Sequence, residues 1–327
     1  MNIGIIGTGW IAERSAQTLL ELSKTEDIQA LAVASRSLTK AREFAERHAI
    51  ERVYGSYGEL AADPDIDLVY IATPHSHHFE HAKLCLENGK NVLIEKAFTV
   101  NEKQAQELID LAKSKNLLIA EAIWTRYMPA RFALDKILQS GVIGEVKSLT
   151  ANLGYDNIHI ERMYLPELAG GALLDLGVYV INFALMAFGT DIESIGSDAD
   201  LYHTGVDLRN RISIYYKDGR VAELYSSLDE FTDKKGIIKG TDGYIEFENV
   251  NCCEWIRTYI NGAKDSRKVQ FDVPKQITGL EYQFLSCKKA LSEGKTECPE
   301  MPHSEIIRVM NIMDNLRLMW GFKYPCE

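Results

Sequence analysis

The fold is decided by residues 1–16, which read MNIGIIGTGWIAERSA. Residues 2–6 are a short apolar run rich in β-branched side chains, and this predicts a strand. A G-x-G-x-x-A pattern follows at once as Gly7-Thr8-Gly9-Trp10-Ile11-Ala12, and residues 13–22 then have the pattern of a helix. A strand, a glycine-rich turn and a helix in this order predict a dinucleotide-binding unit.

The three small residues of this pattern have separate roles. Gly7 lets the chain turn tightly, Gly9 leaves room for a pyrophosphate beside the backbone, and Ala12 lets the helix pack on the strand. The helix N-terminus offers unpaired N–H groups to the phosphates. A structural turn is the alternative, because the pattern alone is a weak signal, but the flanking strand and helix favour a nucleotide. We expect cofactor contacts from Gly7, Thr8, Gly9, Trp10 and Ile11.

Length and composition narrow the class of protein. A chain of 327 residues predicts two domains. The net charge of -11, with no run of Lys and Arg, argues against nucleic-acid binding. No apolar stretch approaches the ~20 residues of a membrane span and no signal peptide precedes Ile3, so we expect no membrane partner and a cytoplasmic protein. The cysteines form no C-x-x-C motif, which predicts reduced thiols and no metal.

The end of the second predicted strand, residues 28–34, bears on the choice of cofactor. A dinucleotide fold usually places Asp or Glu there, to hold the ribose 2′-OH of NAD. This chain has Ser35-Arg36-Ser37 instead. An acid would repel a 2′-phosphate, whereas an Arg fork and two hydroxyls would bind it. We therefore predict NADP over NAD, with Ser35 and Arg36 as contacts; the alternative is that Arg36 is only a solvated cation.

A histidine-rich loop follows the next predicted strand, residues 67–72. It reads Thr73-Pro74-His75-Ser76-His77-His78 and lies where open α/β sheets bind ligands. The histidines suggest a metal cluster, but no third type of ligand is near in sequence, so a loop against the cofactor is the favoured interpretation. We expect His77 and His81 to be solvated. The expected cofactor contacts are Thr73, Pro74, His75 and His78.

Alternating strands and helices continue to about residue 121. Residues 91–95 are another apolar run, and Glu95 and Lys96 stand at its end, where we expect both to meet the cofactor. The alternation predicts a doubly wound, mostly parallel sheet. We assign residues 1–122 to this dinucleotide-binding domain and residues 123–327 to a substrate domain.

The second domain has a different pattern. Residues 146–153, 211–216, 221–227, 244–247 and 268–273 alternate with a period of two, and Asp218-Gly219 predicts a hairpin. With a long helix over 171–188, they predict an α+β domain with a large, mostly antiparallel, open-faced sheet. The open face needs a cover, so we predict a homodimer through it. A final helix over 304–320 could pack back on the first domain.

One stretch of the second domain carries candidate chemistry. Gly170-Gly171 precede the long helix, so a substrate or cofactor could approach closely there. Asp175 and Tyr179 share one helix face that is otherwise apolar, and polar groups there need a reason. One interpretation is a buried hydrogen bond between Asp175 and Tyr179 that only fixes the helix. Alternatively, Tyr179 exchanges a proton with the substrate, Lys96 lowers the tyrosine pKa from its usual value of about 10, and Asp175 orients substrate hydroxyls or Lys96.

The domain junction, residues 121–129, contains two further candidates. Trp124 could stack on a ring, and Arg126 could hold a hydroxyl or a phosphate. Ligand sites favour such junctions. The alternative for each residue is a place in a packed hinge.

Together these motifs resemble the glucose–fructose oxidoreductase / inositol dehydrogenase (Gfo/Idh/MocA) family. EAIWTR at 121–126, GGALLDLG at 170–177 and ASRS at 34–37 are similar to its dimeric dihydrodiol dehydrogenase-like members. The likeness runs over most of the chain and fades after about residue 229.

The resemblance implies an NADP-dependent oxidoreductase acting on a cyclic polyol, either a trans-dihydrodiol or an aldopyranose such as D-xylose. It implies that Lys96 and Tyr179 are catalytic and that Asp175 lines the substrate site. It also supports the dimer. A sensor of the same fold that binds NAD(P) without turnover is the alternative, and the presence of both Lys96 and Tyr179 favours the enzyme.

One departure from the family concerns Lys96. The family usually has Glu-Lys-Pro, often with a cis bond before the proline, whereas Ala97 follows Lys96 here. A cis bond to a non-proline residue costs about 2.5–4 kcal/mol, so we expect a trans bond.

Overall fold

The computed structural model describes residues 1–262 and 269–327. They form two compact units, and the chain passes between them more than once. The first unit comprises Met1–Trp124 and Gln276–Asn311, and the second comprises Thr125–Lys275 and Ile312–Glu327. The division near residue 311 falls within the last helix.

The first unit is built on a six-stranded sheet in which every pairing is parallel. Its strand order is β3-β2-β1-β4-β5-β6, which confirms the predicted doubly wound fold. The buried strands are nearly continuous apolar runs, as expected of a sheet covered on both faces. The strands are β1 (Asn2–Ile6), β2 (Gln29–Ala34), β3 (Arg52–Tyr54), β4 (Leu68–Ile71), β5 (Asn91–Glu95) and β6 (Ile119–Ala122).

The second unit contains an eight-stranded sheet ordered β14-β13-β12-β11-β7-β10-β9-β8. Every pairing is antiparallel except that of β7 with β10, so the predicted α+β class is confirmed. Lys268, which we placed in the last strand, lies outside the described residues. The strands are β7 (Val146–Gly154), β8 (Ile192–Leu201), β9 (Asp207–Tyr216), β10 (Val221–Ser227), β11 (Gly236–Gly240), β12 (Gly243–Phe247), β13 (Trp255–Ile260) and β14 (Val269–Asp272).

The helices begin and end at residues that suit their positions. Ser56 and Glu59 form a capping box, and Asn101 accepts from the backbone N–H of Gln104. The helices are α1 (Trp10–Leu22), α2 (Leu38–His48), α3 (Tyr57–Ala62), α4 (His78–Glu87), α5 (Glu102–Ser114), α6 (Pro129–Gln139), α7 (Glu161–Tyr164), α8 (Val178–Phe188), α9 (Glu281–Ser292) and α10 (His303–Met319).

One face of the eight-stranded sheet is buried beneath α8. Phe183 of α8 packs 5.0 Å from the ring of Phe247, and a Cβ at Gly236 would lie 2.3 Å from Phe183. On the opposite face the side chains are more polar, and several aromatic rings are exposed. Tyr215 is 43% exposed and Tyr244 is 36% exposed.

The expectations about membrane spans and about cysteines can be compared with the fold. Among the described residues, the helical segment Pro166–Phe188 is long and apolar enough to cross a membrane, but its most apolar part is 94% buried within the protein, as in the core helix of a globular domain. All six cysteines are free thiols.

Candidate active site

The turn between β1 and α1 has the geometry of a phosphate-binding loop. Gly7 has φ +109° and an added Cβ would lie 2.6 Å from the carbonyl oxygen of Ala72, so only glycine fits. At Gly9 an added Cβ would meet nothing within 4 Å. No side chain in the described part of the chain caps the N-terminus of α1. The turn therefore leaves space and helix N–H groups for a pyrophosphate.

The end of β2 presents Arg36 to solvent. Within the described residues its guanidinium forms no hydrogen bond or ion pair, whereas Ser35 is buried. The Ser37 hydroxyl accepts from the backbone N–H of Lys40, 3.4 Å away, and so caps α2. Arg36 is thus the free polar group of this turn, and Ser37 already has a structural role.

The loop after β4 is fixed by its histidines. His78 is fully buried, and its ring nitrogens lie 2.8 Å from the Ala97 carbonyl oxygen and 2.9 Å from that of Thr73. Burial lowers the pKa of His78 to about 4. His75 Nε2 lies 3.1 Å from the carbonyl oxygen of Lys96. These contacts tie the loop to the end of β5 and leave His78 no polar atom for a cofactor.

The histidine loop does not form a metal cluster. Across 1–262 and 269–327, no three His, Cys, Asp or Glu residues are grouped so that they could hold an ion. His77 and His81 are half-buried, so the expectation that both are simply solvated was wrong. They lie against other side chains of the first unit.

The peptide bond between Lys96 and Ala97 is cis, so the expected trans bond was wrong. The intrinsic preference of an isolated bond leaves out the contacts that surround it in the fold. In the fold the carbonyls on both sides of it lie within hydrogen-bond distance of His75 and His78, and the Phe98 N–H donates to Glu121 Oε1, 3.0 Å away.

Glu95 belongs to a buried chain of hydrogen bonds. The Ser15 hydroxyl donates to the Tyr70 oxygen at 3.0 Å, and the Tyr70 hydroxyl donates to Glu95. Glu95 is only 6% exposed. This network gives Glu95 a role inside the first unit in addition to any contact with a cofactor.

Trp124 is packed within the first unit. The guanidinium of Arg14 lies 5.4 Å from the ring centroid of Trp124 and 5.2 Å from that of Trp10. Arg14 also donates to the Thr278 carbonyl oxygen at 3.2 Å. Sequence reasoning missed Arg14, although its position one helical turn after Trp10 was a usable signal. Trp10 itself is 69% exposed beside the glycine turn.

The glycine pair of the second unit makes room for protein atoms. An added Cβ at Gly170 would lie 2.4 Å from the Met163 carbonyl oxygen. At Gly171, where φ is +113°, it would lie 2.2 Å from Asp207 Oδ1. We expected these glycines to admit a substrate or cofactor, and the structure shows that the protein itself fills the space.

Asp207 holds the start of the long helix and was missed by sequence reasoning. Its Oδ2 accepts from the Leu173 N–H at 2.7 Å and from Asn210 Nδ2 at 2.8 Å. Complete burial raises the pKa of Asp207 to about 7. Leu173–Gly177 form a π turn before α8. This wider turn holds Asp175, and π turns are often found at functional sites.

The remaining candidate side chains of the second unit are buried, and two of them have polar partners within that unit. Asp175 is 5% exposed, and its Oδ1 accepts from Arg162 Nη1 at 3.1 Å. Arg126 Nε donates to Asn182 Oδ1 at 2.5 Å. Tyr179 is 7% exposed on α8, three residues before Asn182. Lys96 belongs to the first unit, whereas Arg126, Asp175 and Tyr179 belong to the second.

Family models match most of the chain. Residues 1–122 match the GFO/IDH/MocA oxidoreductase family, NAD-binding Rossmann fold, and residues 133–246 match the GFO/IDH/MocA C-terminal domain. Trans-1,2-dihydrobenzene-1,2-diol dehydrogenase of Xenopus tropicalis is 35% identical over 98% of both chains. Its human counterpart is 33% identical over 98% of this chain and 97% of its own.

Solved structures share the architecture. KijD10, a 3-ketoreductase from Actinomadura kijaniata in complex with NADP and TDP-benzene, superposes with a TM-score of 0.87 at 25% identity over 97% of each chain. A levoglucosan dehydrogenase in complex with NADH and levoglucosan has a TM-score of 0.86 at 20% identity, over 98% of this chain and 97% of its own. The second likeness concerns the fold alone.

Proposed function

The chain belongs to the GFO/IDH/MocA family and is an NAD(P)-dependent oxidoreductase, and from this premise we propose that it uses NADP to oxidise a cyclic polyol. The favoured substrate is a trans-dihydrodiol, with an aldopyranose such as D-xylose as the second choice. The observation that carries the substrate class is the likeness to trans-1,2-dihydrobenzene-1,2-diol dehydrogenases at 33–36% identity over 98% of the chain.

Arg36 supports the choice of NADP. It is exposed after β2 and carries an unpaired positive charge within the described residues. A planar guanidinium fits a phosphate monoester better than it fits a neutral ribose hydroxyl. The open side of Gly9 and the uncapped N-terminus of α1 fit the pyrophosphate.

Three side chains would carry out the proton transfer. Tyr179 would take the proton of the substrate hydroxyl during oxidation and return it to a carbonyl oxygen during reduction. The Lys96 ammonium would stabilise the Tyr179 phenolate. Asp175, held by Arg162 at 3.1 Å, would accept hydrogen bonds from the neighbouring hydroxyls. The nicotinamide would supply the hydride chemistry when bound.

The assay that tests this function follows NADPH formation at 340 nm. The substrates are the trans-dihydrodiol of benzene, D-xylose, D-glucose and myo-inositol, each with NADP and with NAD. We expect turnover of the dihydrodiol with NADP and much slower turnover with NAD. Tight NADPH binding without turnover of any substrate would favour the sensor.

Tyr179→Phe tests the assignment of the proton donor. We expect kcat to fall by about 100-fold or more, the range for loss of a general acid or base, with the Kd for NADPH unchanged. Tyr202→Phe is the matched control, because Tyr202 lies in the same unit on a loop after β8. An unchanged kcat in Tyr179→Phe would remove Tyr179 from the mechanism.

The open face of the eight-stranded sheet supports a homodimer. Tyr244 stacks on Tyr259 with ring centroids 4.5 Å apart, and the Arg211 guanidinium lies 5.4 Å from the Tyr225 ring. Aromatic and arginine side chains are enriched at protein interfaces. Light scattering at micromolar concentration tests this proposal, and Tyr244→Glu should shift the mass towards one chain.

A further inference from the structure

Two imidazoles lie near Arg36 in the first unit. His77 precedes α4 and His81 lies on its first turn, with ring centroids 5.6 Å apart. They follow β4, whereas Arg36 follows β2, and these strands flank β1 in the sheet. All three side chains therefore stand at the carboxyl edge of the sheet, where this fold binds its ligand.

The contacts of the imidazoles leave polar atoms available. His81 Nδ1 lies 3.1 Å from the Thr73 hydroxyl oxygen, and the Tyr57 ring packs edge-on against His81 at 4.4 Å. Within the part of the chain that the structure describes, His81 Nε2 and both ring nitrogens of His77 have no hydrogen-bond partner. Tyr57 and Thr73 thus hold the His81 ring, and the other three ring nitrogens of the pair are free of hydrogen bonds to the described residues.

The charges around the pair are positive. Burial lowers the pKa of His77, and the charge of Arg36 lowers it further. Burial lowers the pKa of His81 to about 4, with further contributions from His77, His78 and Arg36. Among the described residues no carboxylate contributes to the pKa of either imidazole. Glu80 of the same helix contributes to the raised pKa of Lys83. Without an anion, both imidazoles are therefore neutral at pH 7.

We propose that His77 and His81 complete, with Arg36, a subsite for the phosphate monoester on the adenosine ribose of NADP, and that they take up protons as it binds. This inference rests on the proposed use of NADP and adds to it a specific pH dependence. A dianion beside a neutral imidazole favours the protonated form and raises its pKa. Each imidazole whose pKa passes the ambient pH binds one proton, which converts a dipole contact into a charge-assisted hydrogen bond.

The direction of proton flow distinguishes this subsite from Arg36 alone. A phosphate monoester has a second pKa of about 6, and a fixed cation such as Arg36 lowers it. Binding through Arg36 alone therefore releases protons or exchanges none near pH 7. Uptake requires groups on the protein that gain protons, and NADH, which lacks the phosphate, should show none.

The experiment is isothermal titration of the full chain with NADPH and NADH at pH 7.0, in two non-phosphate buffers with different heats of ionisation. We expect the protein to take up about one proton per site when it binds NADPH. We expect the Kd for NADPH to rise about tenfold between pH 6.5 and pH 8.5. NADH should show neither effect. An NADPH titration without proton uptake would overturn the proposal.

The variants are His77→Gln and the double variant His77→Gln/His81→Gln. His77→Gln disturbs no side-chain hydrogen bond, so it keeps the test valid if the double variant unfolds. We expect each to reduce proton uptake and to weaken NADPH several-fold at pH 6.5, with the Kd for NADH unchanged. His203→Gln, an exposed histidine between β8 and β9, is the control and should behave as the parent chain.

Arg36→Gln separates failure of this inference from failure of the proposed cofactor. If both histidine variants retain the parent NADPH affinity and proton uptake while Arg36→Gln loses affinity for NADPH, the histidine subsite is overturned and the use of NADP stands. If the parent chain binds NADPH no more tightly than NADH, and Arg36→Gln changes neither affinity, the NADP assignment and the subsite are both overturned.

Discussion

Two glycine-rich turns lead into helices in this molecule, and Gly9 of the first turn meets a different need from the glycine pair of the second. At Gly9 an added Cβ would meet nothing within 4 Å, whereas at Gly170 and Gly171 it would come within 2.4 and 2.2 Å of protein oxygens. The first turn keeps space for a ligand, and the second turn is filled by its own unit. Glycines before a helix can thus mark either a turn that is open to a ligand or a turn that is packed against the protein. The two cases are distinguished by the atoms that a Cβ at the glycine would meet.

The largest effect is expected where the second turn is most crowded. Gly171→Ala places a Cβ against the buried Asp207 carboxyl at a residue with φ +113°, and we expect a loss of about 3–5 kcal/mol in the free energy of unfolding. Gly89→Ala at the end of α4 is the control, because φ is +76° but nothing lies within 4 Å; a single left-handed residue should cost about 1 kcal/mol. Denaturant unfolding measures both, and equal costs would show that the carboxyl contact is unimportant.

The next effect concerns the pH dependence of the free energy of unfolding, to which Asp207 contributes through the second turn. Its folded-state pKa of about 7 lies above the ordinary value of about 3.9. The stabilisation is therefore complete below about pH 4 and is lost as the pH rises through 7, a change on the order of 4 kcal/mol. The histidines with lowered pKa in the first unit have the opposite slope, because their contribution is lost as the pH falls from about 6.5 to 4.

Asp207→Asn isolates the carboxyl contribution. The amide stays neutral, so the stability of this variant should decline less than that of the parent chain between pH 5 and pH 8. Asp200→Asn on the exposed strand β8 is the control and should retain the parent slope. Thermal unfolding at five pH values measures the difference between the chains. Identical slopes for parent and Asp207→Asn would show that Asp207 does not titrate in this range.

A smaller effect, on binding and not on stability, is expected at the first turn. Gly9→Val adds a side chain in open space, so we expect the melting temperature of the free protein to change little. The affinity for NADPH should fall by about 10–100-fold, because the pyrophosphate can no longer approach the backbone. Gly9→Ala should give a smaller loss. Gly196→Val, also with open surroundings, should bind normally, and undiminished affinity in Gly9→Val would place the cofactor elsewhere.

The smallest effect tests a single hydrogen bond to the second turn. The Tyr324 hydroxyl, buried near the C-terminus, donates to the Gly170 carbonyl oxygen at 2.6 Å. Tyr324→Phe should lower the free energy of unfolding by about 1 kcal/mol and leave NADPH affinity unchanged. Tyr215→Phe, on the exposed sheet face, should have no effect on unfolding. A change in NADPH affinity in Tyr324→Phe would contradict a purely structural role for this hydrogen bond.

Local patterns predicted the first unit well. The strand, turn and helix of residues 1–22 follow from the pattern of neighbouring residues. The second unit was predicted less completely. We missed β8 because its polar residues interrupt the alternation on both faces, and we missed β11 because Gly236–Gly240 is short and contains two glycines.

The candidate site shows the same limit. Gly7, Gly9 and Arg36 could be proposed from the sequence because the proposed role of each depends on a single local turn. Asp207 was missed, because the residue that it caps, Leu173, lies 34 positions earlier in the sequence. The contact of Tyr324 with Gly170 spans 154 positions. Spacing within a motif cannot report partners at such separations, since only the folded chain brings them together.

The division of the chain into two discontinuous units limits how related genes can recombine. The second unit combines Thr125–Lys275 with Ile312–Glu327, and Tyr324 in the later segment bonds to Gly170 in the earlier one. A single crossover between residues 170 and 324 would therefore leave this bond joining sequences of different parentage. Exchange of an intact second unit requires crossovers near residues 124, 275 and 311, so Thr125–Lys275 should be inherited together with the C-terminal segment or lose its packing against that segment.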